Sequence, residues 1–226
     1  MFKYSAWPFC VWGIFGWIHQ SCDRWSLQAF HGADVVGAFS IISILASYPL
    51  IFGANLLSNL FIPIAYQRAG DGKSRSVVQS AYRVLFLMTG LFVLWACFVI
   101  MLFTFFHSNI VLLLSNLKYV AFSGLLPGLT AAWGFFYLGQ VFSSFGLLAK
   151  RPATYILPII VSALLAATTT FFFSKARGAE GVVWGLGISG FVYAVWFMGI
   201  GLSLVRRSKQ SAVRLIENDG MCVGDF

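Results

Sequence analysis

The sequence predicts an all-α polytopic membrane protein with six transmembrane helices, and three observations predict it. Of 226 residues, 59% are hydrophobic and only 10% charged, whereas a water-soluble domain carries about 25% charged residues. Apolar stretches of the roughly 20 residues that a spanning helix needs recur along the chain, and mean hydropathy is +0.84. Lys and Arg gather at the ends of those stretches instead of forming a patch. The net charge of +8 is therefore better explained by membrane topology than by nucleic acid.

The six spans are taken in order. The first covers about 4–22. It does not read as a cleaved leader, because its basic region is Lys3 alone, glycines and Trp interrupt its core, and no small-x-small cleavage site follows. The second, about 34–66, is long for one span and contains Pro49 and Pro63. A kink near the first and a break near the second are expected. The third runs about 76–106. Residues 109–116 (NIVLLLSN) are too few to span and are expected to lie in the interface or dip back. The fourth covers about 119–148, the fifth about 154–174 and the sixth about 180–205. Residues 1–205 thus form one transmembrane lobe, and 206–226 read as a short polar cytoplasmic tail.

Six crossings put both termini on one side. That side carries Lys3, then Arg68, Lys73, Arg75 and Arg83, then Lys150 and Arg151, and finally Arg206, Arg207, Lys209 and Arg214. The other carries only Arg24, Lys118, Lys175 and Arg177. The positive-inside rule places both termini in the cytoplasm.

Polar side chains within the spans fall on faces. Asp23-Arg24 closes the first span, where a carboxylate and a guanidinium need each other, water or a polar cavity. Gln20 shares their side of the helix. Asn55 and Asn59 stack at i, i+4. Arg75, Gln79 and Arg83 repeat every four residues. Thr130, Trp133, Tyr137, Gln140 and Ser144 form one stripe at helical spacing. In lipid such stripes turn toward neighbouring helices or a wet cavity. Both uses stay open for Asn55, Asn59, Tyr137 and Gln140. Arg83 also suits snorkelling to the cytoplasmic headgroups, and Asp23-Arg24 also suits a salt-bridged helix end. Gly181 and Gly185 make a small-xxx-small pair that points to close helix packing.

Soluble-enzyme signatures are missing: there is no P-loop, GxSxG or HExxH. His19, His31 and His107 read as helix-end residues without a paired carboxylate motif, so no enzymatic activity is expected. Cys10, Cys22, Cys97 and Cys222 are far apart and have no metal or disulfide spacing.

The stretch DRWSLQAFHGADVVGAFSIISILASYPL combines Asp23-Arg24, Leu27, Gly32 and then Val36-Gly37-Ala38-Phe39. Downstream, NIVLLLSNLKYVAFSGLLPGL places a short Ile-Val-x-Leu-Leu segment before Tyr119, which opens a span. Both resemble the C-terminal half of lipid-linked oligosaccharide flippases. These are the O-antigen and polysaccharide export proteins of the multidrug/oligosaccharidyl-lipid/polysaccharide exporter superfamily. The resemblance in pattern extends to about Val205. It implies one lobe of a MATE-like flippase that moves undecaprenyl-pyrophosphate-linked oligosaccharide across the bacterial inner membrane. Family members carry two lobes around a central cavity, so it also implies a partner, either a separate N-terminal half or a second copy.

Under this resemblance Arg24 and Arg83 are candidates for anionic contacts. Gln20, Asn55, Asn59, Tyr137 and Gln140 are candidates for sugar hydroxyls, and Trp133 for stacking on a sugar face. Asp23 would orient Arg24 or bind a coupling ion, H+ or Na+; no other cofactor is implied. A multidrug-type exporter lobe, with a more acidic and aromatic site, and a non-transporting membrane partner subunit are the alternatives.

Overall fold

A computed structural model describes residues 3–70 and 75–221. The apolar stretches fold into four helical runs: α1 (Lys3–Ala69), α2 (Arg75–Leu114), α3 (Leu126–Leu148) and α4 (Ile156–Met221). Two 3-10 segments, Leu117–Leu125 and Pro152–Tyr155, lead into α3 and α4. Among the described residues there is no strand. Among the described residues, four helices are long and apolar enough to cross a membrane. Large apolar side chains are exposed all round them, Leu94 at 69% and Phe105 at 74% among them. So much exposed hydrocarbon marks a membrane protein and not a water-soluble bundle.

The expectation of six separate helices meets four runs, because two runs are interrupted by a single residue each. Gly32 (φ 80°) breaks α1 and Gly178 (φ 61°) breaks α4, both in the left-handed region that glycine enters at little cost. The α4 arms then pack against each other. A Cβ on Gly181 would strike the Phe173 carbonyl, one on Gly185 would come within 2.8 Å of the Thr170 nitrogen, and Thr169 Oγ1 donates to Gly185 O at 3.1 Å. The Gly181/Gly185 pair thus serves the close packing its spacing suggested. In α1, Gln20 and Asn55 line one cavity, although an unbroken helix would hold them about 50 Å apart. This run also doubles back at its glycine.

The two reversals meet. His31 Nε2 lies 2.8 Å from Ser174 O, Ser26 Oγ lies 3.1 Å from Thr170 Oγ1, and Ser174 Oγ donates to Ser26 O at 3.3 Å. Phe30 and Phe171 pack edge to face beside them. Hydroxyls between helices suit hydrocarbon, where no water competes for them.

The break expected at Pro63 does not occur, and no non-helical residue is found at Pro49. Each proline removes one backbone donor, yet neighbouring groups compensate within a bundle. Beside Pro49 a neighbouring helix adds a bond of its own: Trp95 Nε1 donates to the Pro49 carbonyl at 2.9 Å, across a contact that only Gly53 leaves room for. The third stretch does stop near its expected end. Phe106 leaves helical geometry, and His107 Nδ1 ties the turn to Ser123 Oγ at 3.1 Å. The short segment beyond it exposes Leu112, Leu113 and Leu114 while burying Val111, as an interfacial piece would. The helix runs through the expected tail to Met221; residues 222–226 lie outside the described residues.

α3 is the hub. It packs against α4, α1 and α2, and its glycines allow this: Gly139 accepts the Tyr193 ring, Gly146 the Tyr155 ring. Most of its residues are buried.

Candidate functional site

One uncharged polar cleft of about 340 Å³ lies between α1 and α3. The first arm of α1 supplies Gln20. The second arm supplies Asn55 and Ser58 with Ala54 and Ile62. α3 supplies Tyr137, Gln140, Ser143 and Ser144 with Phe136, Val141 and Leu147. Helical spacing explains the α3 wall, because Tyr137, Gln140 and Ser144 stand one above another. Ser143 Oγ is held by the Gln140 carbonyl at 2.6 Å. Gln20, Asn55, Tyr137 and Gln140 make no side-chain hydrogen bond among the described residues. Three carboxamides and a phenol therefore present free donors and acceptors in an otherwise apolar bundle. No Asp, Glu, Lys or Arg lines the cleft.

The structure brings together four of the nine candidate residues: Gln20, Asn55, Tyr137 and Gln140. The others lie elsewhere. Asn59 is exposed one turn beyond Asn55 and does not line the cleft. Arg83 is exposed on α2, away from it. Trp133 is buried, donates Nε1 to Ser43 Oγ at 3.2 Å and packs edge to face on Phe136. It has no free face for a sugar. The α3 stripe thus splits: Thr130 and Trp133 are core, and only the half from Tyr137 onward is open.

Asp23 and Arg24 part company. Consecutive helical residues point about 100° apart, so Asp23 is fully buried while Arg24 is exposed. Asp23 Oδ1 accepts the Arg24 backbone N–H at 2.7 Å, and Oδ2 has no hydrogen-bond partner. Neither residue lines the cleft, and Gln20 does not share Asp23's face.

His19 departs furthest from its expected place. It is not at a helix end but inside α1 and buried, with both ring nitrogens unpartnered. Its ring stacks on Phe136 at 4.5 Å and is tilted against Tyr193 at 6.1 Å. Tyr193 is fully buried and its hydroxyl also lacks a partner. Among the described residues, these three side chains hold every buried side-chain nitrogen or oxygen without a hydrogen bond. His19 and Asp23 are one helical turn apart, a spacing at which side chains face each other. Phe136 stacks on His19 and also lines the cleft, so His19 sits directly behind the cleft wall. The His-x-x-x-Asp spacing was the signal available in the sequence. Tyr193, on another helix, had none.

No group of His, Cys, Asp and Glu among the described residues is arranged to hold a metal ion. Comparison with protein-family models, curated proteins and solved structures found no match to this chain.

Proposed function

We propose that this chain is one lobe of a membrane transporter, the C-terminal half of a flippase for isoprenyl-pyrophosphate-linked oligosaccharide. In this reading each glycine reversal returns the chain across the bilayer. The four runs then make six crossings of the inner membrane, with both termini cytoplasmic. The second wall of the substrate path comes from a separate N-terminal half or a second copy.

The observation that carries the reading is the uncharged amide- and hydroxyl-lined cleft. Open carboxamides facing hydrocarbon are costly, and sugar hydroxyls match their donors and acceptors. Arg24 and Arg83 stand outside the cleft, so contact with the pyrophosphate is assigned to the missing wall and the sugar to this one. The buried Asp23, one helical turn from His19, is the candidate coupling group.

The buried Asp23, whose Oδ2 has no hydrogen-bond partner, favours a second reading, a multidrug-type exporter lobe, because a carboxylate oxygen without a partner inside a membrane suits an organic cation. Binding to the full chain in lipid nanodiscs separates them. The flippase reading expects an isoprenyl pyrophosphate bearing sugars to bind more tightly than the bare lipid. Replacing Asn55 and Gln140 together by Ala should erase about a tenfold preference, the worth of two neutral hydrogen bonds. A chain that binds both lipids equally, but takes up a cationic dye in an Asp23-dependent way, is an exporter lobe instead.

A further inference from the structure

At the glycine-reversal end of the bundle, two grooves share the residues Arg177 and Trp184. The first, about 570 Å³, lies between the 3-10 segment Leu117–Leu125, the start of α3 and the second arm of α4. Its charged residues are Arg177 and Glu180, which flank the Gly178 reversal. Neither forms an ion pair among the described residues, so opposite charges stand in one groove without neutralising each other. The second groove, about 400 Å³, continues from Arg177 over the seam where the α4 arms meet, past Phe173, Gly181 and Ile188. Apart from Arg177 its walls are apolar, and it extends about 10 Å along the helix from Gly181 to Ile188. Trp184, 62% exposed, stands where the two grooves join, the place an amphipathic indole takes at a membrane interface.

We propose that this is a specific phospholipid site, occupied by a glycerophospholipid whose headgroup carries a phosphate next to an ammonium group. The Arg177 guanidinium takes the phosphate, with the fork geometry that suits it. Glu180 takes the ammonium, and the Trp184 ring face adds cation–π attraction. One acyl chain lies in the apolar groove against Phe173 and Ile188. The lining carries one cation and one anion; Lys118 and Lys175 are on neither wall. That balance selects a zwitterionic headgroup over an anionic one. The inference rests on α4 being lipid-embedded and is independent of the transport reading.

The test is native mass spectrometry of the full chain released from detergent, with phosphatidylethanolamine or phosphatidylglycerol of the same acyl composition added. Phosphatidylethanolamine should be retained about fivefold more than phosphatidylglycerol, the worth of one headgroup charge contact. Arg177→Gln should lower retention of both lipids. Glu180→Gln should abolish the preference while keeping phosphatidylglycerol bound. Circular dichroism melting of each variant checks that the fold survives. Equal retention of the two lipids by the unaltered chain overturns the proposal. So does an unchanged phosphatidylethanolamine signal in a folded Arg177→Gln variant. Either outcome leaves the cleft between α1 and α3, and the function proposed for it, untouched.

Discussion

At the scale of single residues, the buried polar atoms without partners cost stability where the partnered ones add to it. A buried carboxylate oxygen without a partner is a cost, so Asp23→Asn should melt at or above the unaltered chain in detergent; a clearly lower melting temperature would mean that the charge has a partner in solution. Tyr193→Phe removes a buried hydroxyl that bonds nothing and should leave the melting temperature level or slightly raised. Trp133→Phe, in contrast, removes the donor to Ser43 and should cost about 1 kcal/mol. A silent Trp133→Phe with a damaging Tyr193→Phe would reverse this assignment. Helical periodicity made part of the site legible: Tyr137 and Gln140 lie on the wall their spacing suggested. It did not separate Asp23 from Arg24, because adjacency in sequence was read as adjacency in space. It left Arg83 unplaced, since a stripe on one helix does not say which neighbour it faces.

At the scale of helices, the reversals and close contacts depend on particular glycines. Gly178 holds φ 61° with ψ −137°, a sparsely populated combination that costs an L-residue about 1–3 kcal/mol, and Gly181 has no space for a Cβ against Phe173. Gly178→Ala and Gly181→Val should both lower the melting temperature, the second more. Gly187→Ala, with open space at its Cβ, should leave it level or slightly raised; equal losses at Gly181 and Gly187 would contradict the packing of the α4 arms. The change of course at Phe106, near the expected end of the third stretch, was legible because hydropathy and length decide it. The prolines misled because their rule comes from isolated helices. Within the bundle, Trp95 supports the Pro49 carbonyl from another helix, a contact no local pattern contains.

At the scale of the whole molecule, the polar cleft between α1 and α3 is the account's central claim: an aqueous half-cavity within the membrane, not a dry contact between helices. Single-cysteine labelling in intact membranes tests it most directly. Cys10, Cys22, Cys97 and Cys222 are first replaced by Ala, and one cysteine is placed at Gln140 in the cleft or at Leu94, exposed on the apolar surface. Thiols ionise and react where water reaches them. The account predicts that Gln140→Cys reacts with a water-soluble, membrane-impermeant maleimide while Leu94→Cys does not. A Gln140→Cys variant as unreactive as Leu94→Cys, in inverted and right-side-out vesicles alike, would contradict it.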